Sequence, residues 1–196
     1  MNSERETLLA LLDTAIAAAD PTHCLPPNLP PPPKGRLIVL AAGKAAGKMA
    51  AITAAHYATL GLAPGQMTGL AVTRHGHGMP AGNLPVIEAG HPVPDAAGLG
   101  ATQSALALAE GAGPDDLVLV LLSGGGSANW IAPAAGIDLP AKQRLTRALL
   151  AAGATIDEFN CVRRHLSAIK GGRLAAAAAP ARVLTLAISD VPGDRP

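Results

Sequence analysis

Residues 117–129 read LVLVLLSGGGSAN, and this stretch decides which fold we expect for the chain. Its first six residues, Leu117–Leu122, are all leucine or valine, and so short an apolar run predicts a β-strand buried on both faces. Three glycines follow Ser123, and they can adopt positive φ angles and let a ligand approach the backbone amides. Ser127 is of a type that caps helix N-termini. A strand, a glycine loop and a helix start together commonly bind phosphate.

A second interpretation of the glycine loop is a tight strand-to-helix turn that binds nothing. The loop matches neither G-x-x-x-x-G-K-[ST] nor G-x-G-x-x-G, the patterns of two well-known phosphate-binding loops. Both interpretations stay open at this point. The candidates for binding a nucleotide phosphate are Ser123, Gly124, Gly125, Gly126 and Ser127.

A second buried strand is predicted over residues 36–42, RLIVLAA, and it leads into Gly43 and Lys44. A helix is predicted over residues 44–59. A lysine at the first turn opposes the helix macrodipole and costs some stability unless an anion shares the site. The position therefore favours a functional role for Lys44, whereas Lys48, one turn later, is predicted to be an exposed helix residue.

The remaining pattern alternates short apolar runs with helical segments. Further strands are predicted over 69–73, 85–89 and 183–188, and helices over 96–111, 139–152 and 156–170. This pattern predicts an α/β fold: a mostly parallel, Rossmann-like sheet with helices on both faces, in three layers α/β/α. Residues 1–34, a helix over 3–19 and a proline-rich connector, are expected to pack on a main domain that spans 35–196.

Polar residues follow most of the predicted strands. Ligands of such sheets bind outside the carboxyl ends of the strands, so we expect these residues to meet at one edge. They are Gly43, Lys44, His75, His77, His91, Asp95, the glycine loop, Asp190 and Asp194. A lysine, a glycine loop and two aspartates on one edge suit a nucleotide phosphate and a divalent cation.

Several of these residues also have a purely structural interpretation. His91 and Asp95 fit either a ligand site or a rigid turn with a helix cap, and His75 with His77 fits a polar loop better than a metal site. Arg163 and Lys170 fall with Asn160 and Ser167 in one polar stripe of the helix predicted over 156–170. That stripe is either solvated or presents two cations to an anionic ligand.

Composition narrows the class of protein. The chain has 196 residues, a net charge of +1, and one residue each of Trp, Tyr and Phe, which argues against nucleic-acid binding. No uncharged apolar run reaches the ~20 residues of a membrane span, and the acidic N-terminus does not have the pattern of a signal peptide. Its two cysteines form no disulfide framework. We therefore expect a cytoplasmic protein without a membrane or nucleic-acid partner.

Six segments, taken in order, resemble the glycerate 2-kinases of the MOFRL family, some of which carry the label hydroxypyruvate reductase. They are AAGKAAGKMA, VTRHGHG, AGHPVPDAAG, LLSGGGSA, RRHLSAIKGGRLA and SDVPGD, and they span residues 41–194. The resemblance implies phosphorylation of D-glycerate to 2-phosphoglycerate with ATP and Mg²⁺. It matches Lys44 to the catalytic lysine of the family and residues 123–127 to its phosphate-binding loop. It also matches Lys170, Asp190 and Asp194 to further polar site positions.

The chain departs from this family in length. The kinases it resembles are roughly twice as long, with a C-terminal MOFRL domain and a further catalytic arginine. We therefore expect an N-terminal part whose site is completed by a missing C-terminal half or by a homo-oligomer. Two alternatives remain: an NAD(P)H-dependent hydroxypyruvate reductase, which no G-x-G-x-x-G pattern supports, and a non-catalytic fragment that binds nucleotide.

Overall fold

The fold is built on a five-stranded parallel sheet. The computed structural model describes residues 2–189. The strands are β1 (Leu37–Ala42), β2 (Met67–Arg74), β3 (Val86–Ala89), β4 (Leu117–Leu122) and β5 (Arg182–Ala187). They lie in the order β3-β2-β1-β4-β5, and all four neighbouring pairs are parallel. The predicted fold class is confirmed.

In the part of the chain that the structure describes, eight α-helices connect and flank these strands. They are α1 (Asn2–Ala19), α2 (Pro21–Cys24), α3 (Ala46–Thr59), α4 (Ala96–Glu110), α5 (Gly126–Asn129), α6 (Leu139–Ala151), α7 (Ile156–His165) and α8 (Arg173–Ala177). Single 3-10 turns cover Pro26–Asn28 and Pro64–Gln66.

The central strand β1 and its neighbour β4 are buried because helices cover both faces of the sheet. All six residues of β1 are buried, and β1 pairs with β4 from Leu37 opposite Leu117 to Ala42 opposite Leu122. Alternate side chains point to opposite faces. One face packs on α3, and the other packs on α4 and α8. This arrangement confirms the prediction of three layers.

The amino ends of β1 and β4 are held together by Asp116. Its carboxylate accepts hydrogen bonds from the Arg36 backbone N–H at 2.6 Å, from the Arg36 guanidinium at 2.7 Å and 3.1 Å, and from the Gly113 N–H at 2.9 Å. Burial by itself raises the pKa of this carboxyl, but the bonds from Arg36 and Gly113 outweigh that effect and lower it. Asp116 therefore stays ionised and fixes how the two strands align.

The connector after α1 packs on the main domain. The Tyr57 hydroxyl of α3 donates to the Pro30 carbonyl at 2.7 Å, and burial raises the pKa of Tyr57 to about 12. Lys48 forms an ion pair with Asp20 at 2.7 Å, and Leu25 is 3% exposed. Lys48, predicted to be a plain exposed residue, thus ties the connector to α3.

Helix α1 keeps its apolar side chains exposed. The exposed fraction lies between 46% and 67% for each of its large apolar residues, Leu8, Leu9, Leu11, Leu12 and Ile16. The expected packing of this helix on the main domain therefore stays a prediction. Within residues 2–189, no single helix is long and apolar enough to cross a membrane; only Ser3–Ala19 and Pro21–Asn28 taken together reach that length, across a 50° bend.

Helix α7 ends five residues earlier than predicted. The sequence pattern extends it to Lys170, but the helix stops at His165. The Ser167 hydroxyl accepts hydrogen bonds from the N–H groups of Ile169 and Lys170, both at 3.2 Å, and so offers the backbone an alternative to the helical ladder. The prediction of one continuous polar stripe on this helix is wrong.

Candidate functional site

The sheet order creates a crevice between β1 and β4. The chain leaves β1 toward β2 and β3 on one side and returns through α4 to β4 on the other. Such a switch point, at the carboxyl ends of the strands, is where open α/β sheets bind their ligands. Two loops meet there: the lysine loop, residues 43–45, and the glycine loop, residues 123–127.

The two loops bind each other directly. The Lys44 N–H donates to the Gly124 carbonyl at 2.8 Å, and the Ala45 N–H donates to the Ser123 hydroxyl at 3.0 Å. Gly43 has φ +119°, and a Cβ there would lie 2.3 Å from the Ser123 carbonyl oxygen. Gly43 is therefore required for the contact between the loops, which is a structural role that the sequence pattern did not specify.

Lys44, Gly125 and His91 converge at the crevice. Gly125 has φ +86°, and a Cβ there would lie 3.0 Å from the His91 ring and 3.7 Å from Lys44 Cγ. Within residues 2–189, the N–H groups of Gly124 and Gly125 donate to no backbone carbonyl. Amides without a backbone acceptor among these residues, a lysine, and space that only glycine leaves open fit an anionic group such as a nucleotide phosphate.

The helix after the glycine loop differs from the prediction. Helix α5 is a single turn, its N-cap is Gly125, and no side chain caps it. Ser127 lies inside this turn, so its predicted role as the cap is wrong. The reason is that Gly125 turns the chain into the helix through its positive φ angle, two residues before Ser127.

The loop after β3 is held by a cap and an amide. Asp95 caps α4, accepting from the Gly98 N–H at 2.9 Å, and its other oxygen lies 2.8 Å from His75 Nε2. The buried Asn129 donates to the carbonyls of Ala89 and Gly90 at 3.4 Å and 3.3 Å.

Within residues 2–189, no group of three His, Cys, Asp or Glu side chains could hold a metal ion.

Three cations meet in a second part of the site, which we call the cation pocket: Lys142 of α6, Arg163 of α7 and Lys170. Lys142 is 5% exposed and donates to the Leu166 carbonyl at 2.6 Å. Lys170 donates to the Trp130 carbonyl. The Arg163 guanidinium lies 4.1 Å above the Phe159 ring and 3.5 Å from the carbonyl of Pro92, the residue after His91. The cation pocket therefore adjoins the crevice.

The cations of this pocket perturb one another. Loss of water, followed by repulsion from Arg163 and Lys142, lowers the pKa of Lys170 to about 7. Burial and then Arg163 lower the pKa of Lys142, and burial lowers that of Arg163 to about 10. Groups with such shifts, in a cleft, are candidates for a functional site.

The structure thus unites most of the predicted site residues in two adjoining groups. Arg163 and Lys170 line one pocket, but a turn and not one helix face brings them together. Lys142 was missed because it lies in KQRLTR, where a lysine beside two arginines resembles an exposed helix surface. Asp190 and Asp194, predicted as metal ligands, lie outside the described residues.

Residues 7–196 match the profile of a protein family described as "Domain of unknown function (DUF4147)". The chain belongs to this family. Its match covers nearly the whole chain and includes both loops of the crevice.

Relatives of this DUF4147 chain carry two kinds of names. It is 49% identical to the "Putative hydroxypyruvate reductase" of Agrobacterium vitis, over 99% of this chain and 43% of that protein. It is 41% identical to the D-glycerate 2-kinase of Thermotoga maritima, over 98% of this chain and 45% of that protein. The crystal structure of glycerate kinase from T. maritima superimposes with a TM-score of 0.83 and 39% identity, over all of this chain and 46% of that one. The chain therefore spans less than half the length of these relatives and corresponds to their N-terminal part.

Proposed function

We propose that this DUF4147 chain is the N-terminal part of a glycerate 2-kinase, which transfers a phosphoryl group from ATP to D-glycerate and forms 2-phosphoglycerate. The observation that carries the proposal is the convergence of Lys44, the glycine loop and the cation pocket at the switch point of the sheet. The kinase names of two relatives and the likeness to a glycerate kinase structure support it.

The residues divide into groups with separate tasks. The amides of the glycine loop, with Ser123 and Ser127, bind the nucleotide phosphates. Lys44 offsets negative charge on the phosphoryl group in transfer, and Gly43 and His91 border the same space. Arg163 and Lys170 bind the charged part of the acceptor. No general base is required of this chain, because phosphoryl transfer depends mostly on positioning and electrostatics.

Mg²⁺ is proposed as the metal of the site, and Asp190 and Asp194 would be the residues of this chain that hold it. Their carboxylate oxygens are of the type that Mg²⁺ prefers. When bound, the ion neutralises charge on the transferring group. We further propose that the protein acts in the cytoplasm and that a C-terminal half, or a second copy, completes the site.

A hydroxypyruvate reductase is the competing function, because one relative carries that name. The loop after β1, GKAAGK, places a lysine where dinucleotide-binding sheets have G-x-G-x-x-G. A cation at that point suits a phosphoryl group in transfer, and the sequence offers no acidic partner for a ribose at the usual spacing. We therefore favour the kinase.

Replacing Lys44 by alanine separates the two functions. The protein to assay is this chain joined to the C-terminal half of a full-length relative. We expect Lys44→Ala to abolish ADP release with D-glycerate, lowering kcat more than it raises KM, because Lys44 acts on charge that develops in the transition state. NADH consumption with hydroxypyruvate is measured in parallel on the same proteins.

Lys48→Ala is the matched control. Lys48 is the second lysine of the same motif and pairs with Asp20 away from the crevice, so its loss should leave kcat within about twofold. ATP-independent NADH turnover without ADP release would overturn the kinase assignment in favour of the reductase.

A further inference from the structure

We propose that Lys142, Arg163 and Lys170, with the indole N–H of Trp130, bind one oxyanion, a carboxylate or a phosphoryl group. The inference rests on the proposed function only for the identity of the ligand, which would be the acid group of the acceptor or a transferred phosphate. The pocket itself is argued from its geometry, and Lys142 is its unassigned member. None of the sequence segments that resemble known kinases contains Lys142.

The lining of the cation pocket consists of hydrogen-bond donors and apolar groups. Its charged side chains are the three cations, and its other polar side chains are hydroxyls and the Trp130 indole. Among residues 2–189, no carboxylate lines it, and none of the three cations forms an ion pair. Trp130 is 6% exposed, and its indole N–H has no hydrogen-bond partner among these residues. Such a lining suits an acceptor with negative charge.

Among residues 2–189, the ammonium groups of Lys142 and Lys170 use only part of their hydrogen-bond donors. Each lysine donates to one carbonyl, Lys142 to Leu166 and Lys170 to Trp130, although an ammonium group carries three N–H bonds. Holding three cations together away from water costs free energy, both from desolvation and from mutual repulsion. A bound anion removes the repulsion and supplies charge-assisted hydrogen bonds, so the pocket is complementary to an anion.

The size of the space fixes how a ligand would enter. The cation pocket encloses only about 10 Å³, which admits roughly one water-sized group. A neighbouring cavity of about 330 Å³ shares Ser127, Trp130 and Lys170 with it, and Leu122 and Val183 line its apolar wall. One oxygen of the anion would therefore enter the cation pocket, while the rest of the ligand lies in the larger cavity.

Removal of the Lys142 charge tests this inference without nucleotide. Inorganic phosphate and D-glycerate are titrated calorimetrically into the 196-residue chain and into Lys142→Gln, which removes the charge and keeps a polar side chain. We expect at least about tenfold weaker anion binding in Lys142→Gln, the loss of one charge-assisted hydrogen bond. Binding of phosphate alone indicates a phosphoryl ligand, and binding of glycerate alone indicates a carboxylate.

Arg147→Gln is the control, because it removes the same charge from the exposed face of the same helix. It should bind both anions as the unchanged chain does. Equal affinity of the unchanged chain and Lys142→Gln, or no binding of either anion by the unchanged chain, would overturn the inference. Should Lys142→Gln fail to fold by circular dichroism, Arg163→Gln repeats the test from α7 with the same expected loss.

The experiments can reject anion binding in the cation pocket and the proposed kinase function separately. Unchanged anion affinity in Lys142→Gln, together with loss of glycerate phosphorylation in Lys44→Ala, would reject the pocket and keep the kinase. Anion binding that depends on Lys142, together with NADH turnover and no ADP release, would keep the pocket and reject the kinase.

Discussion

At the scale of single residues, Gly125 decides the shape of the crevice. Its φ of +86° turns the chain from β4 into α5, and the space that its missing Cβ leaves lies between His91 and Lys44. Any larger residue would therefore meet both a strained backbone and two candidate site residues. The phosphate-binding interpretation of the loop depends on that open space.

Gly125→Ala should weaken the binding of ATP with Mg²⁺ by at least about tenfold. The added methyl group occupies the space beside the amides of the glycine loop, and losing one charged hydrogen bond is worth roughly that factor. Calorimetric titration of the 196-residue chain measures the affinity. The variant should also lose about 1–2 kcal/mol of stability, because an alanine is held at a positive φ angle.

Gly136→Ala controls for the backbone effect alone. Gly136 has φ +82°, and a Cβ there would meet nothing within 4 Å. This variant should lose similar stability and bind ATP as the unchanged chain does. If both variants bind ATP equally well, or if the unchanged chain does not bind it, the glycine loop is not a complete phosphate site in this chain.

At the scale of elements, the bonds around Asp116 set the alignment of β1 and β4 and so the meeting of the two loops. Asp116→Ala should lower the free energy of unfolding by about 1–3 kcal/mol, because it leaves the backbone N–H groups of Arg36 and Gly113 without their acceptor. Asp115→Ala, at the exposed neighbouring position, should change it by less than about 0.5 kcal/mol. Urea unfolding at neutral pH measures both.

The effect of Asp116 should depend on pH. Its pKa in the folded chain lies below the ordinary value of 3.8, so the stabilisation is fully present above pH 3.8 and is lost as pH falls through the folded value. The difference between Asp116→Ala and the unchanged chain should therefore shrink in acid. A difference that is the same in acid and at neutral pH would show that the charge of Asp116 is not what joins the strands.

Local signals predicted the elements well where a single residue or run determines them. Asp95 caps α4, one of the two roles open to it from the sequence, and α7 begins at Ile156 as predicted, since a helix start depends only on the residues next to it. The end of α7 was not predictable, because the Ser167 hydroxyl competes for the backbone. Ser127 was misassigned as a cap for a similar reason: Gly125 had already turned the chain.

At the scale of the whole molecule, β5 is partly exposed at one edge of the sheet. The chain spans less than half the length of the relatives it matches. We expect the 196-residue chain to phosphorylate glycerate far more slowly than the about 1–100 s⁻¹ of ordinary kinases. Joining it to the C-terminal half of a relative should restore turnover. ADP release with D-glycerate and ATP measures both, and turnover of the chain alone in the kinase range would contradict the proposal that its site is incomplete.

The sequence by itself determined the two buried strands, the loops that follow them and the parallel α/β class. These depend on runs of apolar residues and on glycine, which act through the local backbone. Only the tertiary structure decided that β1 and β4 are neighbours, that Gly43 is needed where their loops touch, and that Lys142 joins Arg163 and Lys170. Those contacts join residues far apart in the chain, and whether a lysine on a helix faces solvent or a pocket is set by what packs against it.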